Sequence, residues 1–163
     1  TDRQCTAETI ATRNNIALVR VERNSYGKDF DRDTYTCEVR DALINHEIDL
    51  IAMAGFGTIL NKPIYDDFSN RILNTHPSLL PSFPGWHAVE EALEYGVKVT
   101  GCTVHIATEE VDAGPILAQE SIPVLKDDTK ETLHERIKTV ERQLYVDTIN
   151  KIITTNGQIE RDQ

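Results

Sequence analysis

The sequence has 163 residues, 39% of them hydrophobic and 27% charged, which suits one globular domain with a real core. A net charge of -10 excludes the basic face that nucleic acid or an anionic membrane requires, but leaves small anionic ligands open, because a few cations or backbone N–H groups hold a phosphate. Cys5, Cys37 and Cys102 are an odd count without C-x-x-C spacing, so neither a disulfide framework nor a zinc site is expected, and the absence of a long apolar run fits a soluble cytoplasmic chain.

Residues 3–13 read as a short helix. "IALVRV" (16–21) reads as a buried strand, its apolar run nearly continuous. "NSYGKD" (24–29) is a loop. From Asp31 to His46, the groups Tyr35, Val39, Ala42, Leu43 and His46 fall at helical spacing. "DLIAMA" (49–54) is a second strand, ended by Gly55-Phe56-Gly57. Asn61 caps a short helix with Pro63 in its first turn. "RIL" runs into Asn74 as a third strand, and residues 87–95 form a helix stopped by Gly96. Residues 101–108 alternate like a strand, and another follows at about 116–124. Leu133, Ile137, Val140 and Leu144 make the stripe of a last helix, with Asp128 and Glu131 as its cap pair and Gly157 as its stop. Strands alternating with helices predict an α/β fold over residues 1–163. Its sheet is mostly parallel and twisted, with helices on both faces. Strands 16–21 and 49–54 are expected as parallel neighbours, with an antiparallel pair over 101–124.

The chemistry concentrates in "LNTHPSLLPSFPGWHA" (73–88). Three prolines exclude a helix interior or a central strand there. Asn74 and His76 precede them at a strand end, where open α/β sheets bind ligands. Residues i and i+2 of a strand share a side, so carboxamide and imidazole project together. A donor amide beside an imidazole suits a reaction that forms an oxyanion next to a moving proton. The alternative is an ordinary satisfied polar pair. Asp112, in "EEVDAGP", is the candidate carboxylate to orient His76, or else a solvated loop residue. His46, His87, His105 and His134 are scattered without metal-ligand spacing, so no metal is expected. Gly55-Phe56-Gly57 is either a tight turn or backbone that recognises a flat heterocycle; a lone G-x-G is weak.

The stretch "NTHPSLLPSFPGWHAVEEALEYGVKVTGCTVHIATEEVDAGPILAQESIPV" resembles the core of the formyltransferases that use 10-formyltetrahydrofolate. The likeness runs from the first residues to about Asn156 and rests on Asn-x-His-Pro-Ser-Leu-Leu-Pro with a downstream Asp-x-Gly-Pro. Phe83-Pro84-Gly85-Trp86-His87 before an Ala-Leu helix favours the branch that formylates the amine of glycinamide ribonucleotide in purine synthesis. The resemblance implies a Rossmann-like fold with Asn74, His76 and Asp112 as the catalytic trio. Asn74 donates to the formyl oxygen. His76 stabilises the oxyanion and moves a proton, and Asp112 orients His76. Folate-binding positions follow as Arg32, Gly57, Thr58, Ile59, Leu60, Asn74 and Val111. Lys138 and Glu141 match positions that touch the nucleotide, or else are a solvated charge pair. The partners implied are the two small molecules, with no nucleic acid or membrane and a homodimer left open.

One departure accompanies the resemblance. The family opens with a strand, a glycine-rich phosphate loop and a helix, a β-α-β unit on the order of 30 residues or a little more. "TDRQCTAETIA" instead resembles the region that follows. The sequence therefore reads as N-terminally incomplete, with a deficient phosphate site and a sheet short of central strands. A folate-binding but catalytically poor remnant is the alternative function, as is a relative acting on another acceptor.

Overall fold

A computed structural model describes residues 1–23 and 25–155. They form two compact units, one of residues 1–51 and 55–69, the other of residues 52–54 and 70 onward.

The first unit holds α1 (Thr6–Arg13), a short 3-10 turn (Gly27–Asp29), α2 (Arg32–Asn45) and α3 (Lys62–Asp67). Helix α2 begins where expected: the Asp31 carboxylate accepts from Thr34 N at 3.0 Å, a side-chain N-cap. Tyr35 and Thr36 are its buried residues. Asn61 stands at the N-cap of α3, but its side chain does not cap. Its backbone N–H donates to Thr36 Oγ1 at 3.1 Å and its amide to Asp33 Oδ1 at 2.6 Å, so it ties α3 to α2 instead.

The expected strand at 16–21 does not form. Its backbone bonds scatter: the Thr1 amino group donates to Val19 O, Val21 N to Thr1 O, Ile16 N to Ala11 O and the Tyr35 hydroxyl to Val21 O. These scattered partners make no ladder, and Ile16 and Leu18 stay 60% and 45% exposed. Apolar content alone does not make a strand; a partner edge does. Within the loop expected at 24–29, Asn24 lies outside the described residues, and 27–29 close into the 3-10 turn.

The second unit is built on a sheet in the order β1-β2-β3-β4, with β1 (Ile51–Ala52), β2 (Ile72–His76), β3 (Val99–Ile106) and β4 (Ile116–Pro123). Only two residues of the expected 49–54 run are strand, though Met53 N still donates to Leu73 O at 2.9 Å. Strand β2 pairs antiparallel with β3, and β3 antiparallel with β4, so the antiparallel pair expected over 101–124 is present and extends to β2. Helix α4 (Ala88–Tyr95) ends at Gly96, whose φ of 78 is the left-handed C-cap that glycine supplies.

Helix α5 (Lys130–Thr154) starts one residue later than the Asp128–Glu131 cap pair implied. Thr129 is the N-cap, in a reciprocal box with Thr132. Asp128 instead accepts from Leu125 N and receives Arg136, so it anchors the loop before the helix. Gly157, the expected stop, lies outside the described residues. Leu133 and Ile137 pack with Val89, Cys102 and Ile122 into one buried cluster, and Val140 and Leu144 flank it. Tyr145 reaches from α5 across to the strands: its hydroxyl lies 3.0 Å from Leu73 O and 3.1 Å from Met53 O.

Candidate active site

Strand β2 carries Asn74 and His76 on one side, and the loop of residues 107–115 between β3 and β4 carries Asp112. The three converge. His76 Nδ1 lies 3.2 Å from Asp112 Oδ2, with side chains only 5% and 6% exposed. The same carboxylate oxygen accepts from Gly85 N at 2.8 Å. Asp112 adopts φ 56, a conformation that a non-glycine residue holds only when its surroundings over-determine it. Its carboxylate is thereby fixed between the His76 ring and the proline loop.

The proline loop is fixed in turn by buried hydrogen bonds. Thr103 Oγ1, on β3, donates to Ser78 O at 2.7 Å and accepts from Leu80 N at 3.1 Å and Gln119 Nε2 at 2.9 Å. Ser78 Oγ donates to Ser82 O at 2.5 Å. The loop's closing turn brings the Phe83 carbonyl to 2.7 Å from His76 Nε2, with Phe83 at φ 53. Acceptors therefore stand at both ring nitrogens, and only an imidazolium donates to both. In this conformation Nε2 is engaged by protein, so direct contact with a ligand requires it to exchange the Phe83 carbonyl.

A further residue belongs to the cluster. His105 is the register partner of Asn74, and its Nε2 lies 3.3 Å from Asn74 Nδ2 and 3.6 Å from Asp112 Oδ1. Burial holds its imidazole below the ordinary value, against the Ile106 carbonyl and the Asp112 charge, which favour the proton. The sequence showed it only as one isolated histidine in an alternating run. The signal would have been its register opposite Asn74, which a linear reading does not contain.

The remaining expected positions are distributed as follows. Val111 is exposed, directly before Asp112. Lys138 and Glu141 are half-buried on α5, and Lys138 Nζ donates to Glu135 Oε1 at 2.8 Å. Arg32, Gly57, Thr58, Ile59 and Leu60 belong to the first unit. There Arg32 is exposed at the start of α2, while Thr58 and Leu60 are buried. Thr58 Oγ1 accepts from Arg23 Nη1 at 3.0 Å, and the Arg23 guanidinium stacks on the Tyr26 ring at 4.1 Å. No helix among the described residues is long and apolar enough to cross a membrane.

The model of the formyl transferase family matches residues 2–149. The phosphoribosylglycinamide formyltransferase of Mycobacterium tuberculosis is 46% identical over 153 residues, which are 94% of this chain and 70% of that protein. Glycinamide ribonucleotide transformylase 1 from Symbiobacterium toebii superposes with a TM-score of 0.84 at 40% identity, covering 91% of this chain and 69% of its own. The phosphoribosylglycinamide formyltransferase structure from Bacillus halodurans gives a TM-score of 0.86 at 33% identity, covering 98% and 81%. These likenesses bear out the α/β, Rossmann-like class, and with the match over almost the whole length they identify the chain as a member of the formyl transferase family.

Proposed function

We propose that the protein transfers the formyl group of 10-formyltetrahydrofolate to the amine of glycinamide ribonucleotide, a step of purine synthesis, as a cytoplasmic enzyme. The observation that carries this reading is the buried His76–Asp112 pair at the end of β2, with half-buried Asn74 joined to it through His105, in a chain whose relatives are named for glycinamide formyl transfer.

The amine lone pair forms the new C–N bond at the formyl carbon while the carbonyl electrons move onto oxygen. An Asn74 N–H donates to that oxyanion. The His76 imidazolium, backed by Asp112, sets a positive charge beside it. Collapse breaks the bond to N10 of the folate. The His76 imidazolium gives a proton to N10 as that bond breaks, and the neutral ring then takes up the proton that the attacking nitrogen loses. The products are the formamide and tetrahydrofolate, and the protons balance.

In this reading Asn74 and Val111 take the folate within the second unit. Lys138 and Glu141 take the nucleotide, so a phosphate at Lys138 competes with Glu135 for the ammonium. A formyl-transfer assay decides the matter: the protein is supplied with both substrates, and the formylated nucleotide is identified by mass. Tetrahydrofolate release that proceeds equally without the nucleotide would replace the transferase by a hydrolase.

A further inference from the structure

We infer that His105 is a positioning residue: its neutral ring, protonated on Nδ1, grips one N–H of the Asn74 carboxamide and thereby aims the other. The inference rests on the role proposed above for Asn74.

A neutral imidazole has one N–H to give. His105 Nδ1 lies 3.0 Å from the Ile106 carbonyl, within hydrogen-bond reach. Its Nε2 lies 3.6 Å from Asp112 Oδ1, beyond a good hydrogen bond. The single proton therefore sits on Nδ1, and Nε2 presents a bare lone pair. The only donor described beside that lone pair is Asn74 Nδ2, at 3.3 Å. Flipping the Asn74 amide would set its carbonyl oxygen against another acceptor, so the contact also fixes which way the carboxamide faces. A primary amide carries two N–H groups. With one held by His105, the second has a defined direction for the acyl oxygen.

The local backbone supports this placement. Between Val104 and His105 the β3–β4 register shifts, with Val104 opposite Ala118 but His105 opposite Ile116. Such an irregularity re-aims a side chain, and these features recur beside active sites. His105 is 1% exposed, so water does not compete for its ring nitrogens. Burial also disfavours the doubly protonated ring, which would turn Nε2 into a donor and repel the Asn74 N–H.

Two substitutions separate positioning from mere filling of space. Gln at 105 places a carbonyl where Nε2 stood and can accept from Asn74. Asn is shorter and keeps only the Nδ1 end. We expect His105→Gln to keep most of kcat. His105→Asn should lose tenfold or more, within the roughly 10²–10³ of a lost oxyanion donor. KM for both substrates should move little. In an Asn74→Ala background, His105→Asn should cost almost nothing further. Equal losses in the two variants, or fully additive losses with Asn74→Ala, would assign His105 to packing alone and overturn the inference. Nitrogen-15 spectra of the ring in the unsubstituted protein give a test that needs no activity. A bare Nε2 and protonated Nδ1 are expected, and the opposite tautomer overturns the inference. A protein that shows this tautomer but no formyl transfer would fail the functional proposal and leave the His105–Asn74 geometry standing.

Discussion

Asp112 Oδ2 sits 3.2 Å from His76 Nδ1 and 2.8 Å from Gly85 N, so one carboxylate oxygen joins the end of β2 to the proline loop. That carboxylate faces the His76 ring and also anchors the turn that brings Phe83 O to the other ring nitrogen. Charge and shape are separable by substitution.

Asp112→Asn keeps the outline and an oxygen for Gly85 N but removes the charge. The expected outcome is a kcat lower by roughly 10²–10⁴, the range of general acid–base groups, with folate affinity little altered. Steady-state kinetics with a folate-binding control measures this. An unchanged kcat would remove Asp112 from the mechanism.

Gly114 controls the same carboxylate from two residues away. A Cβ there would stand 1.8 Å from the Ile106 carbonyl oxygen, so the loop of residues 107–115 has to move to admit one. Gly114→Ala should lower kcat by an amount comparable to Asp112→Asn while leaving the strands intact, because the displaced loop carries Asp112 away from His76. Circular dichroism beside the assay distinguishes this from unfolding. Wild-type activity in a folded Gly114→Ala protein would show that the loop tolerates the shift and that the Asp112 position is not exacting.

Much of this site was legible in the sequence. Asn74 and His76 stood at i and i+2 of a strand end, and the prolines marked a stiff loop. Asp112 came from the glycine and proline that shape its turn together with the family pattern. His105 was not legible, because its role depends on a strand register that brings it opposite a residue 31 positions away. The 16–21 run misled for the complementary reason: local apolar content predicts a strand, but a strand exists only with a partner edge, and here the backbone bonds scatter to Thr1, Ala11 and the Tyr35 hydroxyl. Thr129 displaced Asp128 as the α5 cap because the aspartate is more strongly engaged by Arg136, with a 2.5 Å contact.

His105 also links stability to pH. Burial holds its native value below the ordinary 6.5, so the unfolded chain takes up a proton that the folded chain refuses. Between 6.5 and that lower value the unfolded state binds more protons, and stability falls as pH falls. The contribution is complete above 6.5 and lost through this window. Half-buried His134, also held low by burial, adds in the same direction. Denaturant titrations at about pH 7.5 and 5.5 should show the loss, and His105→Gln should reduce it. An identical pH dependence in the variant would exclude His105 as the group responsible.

The cysteines should divide by burial. Cys102 is 1% exposed, and burial pushes its thiol up to about 11, with the Glu141 and Glu120 charges adding to the effect. Cys5 is half-buried and its thiol is held low by the Thr1 hydroxyl; Cys37 is also half-buried. Alkylation of the native protein, read by mass spectrometry, should mark Cys5 first and spare Cys102 until the protein is denatured. Labelling of Cys102 at the rate of Cys37 under native conditions would mean that the cluster beneath α5 opens readily.

Leu133 tests that cluster directly. It is fully buried among Val89, Cys102, Ile122 and Ile137, one turn into a helix whose start is fixed by the Thr129–Thr132 box. Leu133→Ala removes three buried carbons and leaves a hollow between α4, α5 and the sheet, which should cost about 2–5 kcal/mol of unfolding free energy. Thr129→Ala acts on the same helix but at an exposed cap, and should cost about 0.5–2 kcal/mol. Neither side chain touches Asn74, His76 or Asp112. Tyr145, three turns further along α5, keeps its hydroxyl on Leu73 O, next to Asn74. The helix is therefore held to β2 at a second point, and both variants should retain near-native kcat at temperatures where they are folded. Denaturant unfolding gives the two free energies, and the assay gives kcat. A large kcat loss in folded Leu133→Ala would show that the cluster transmits its packing to the site, and that the Tyr145 contact alone does not hold Asn74 in place.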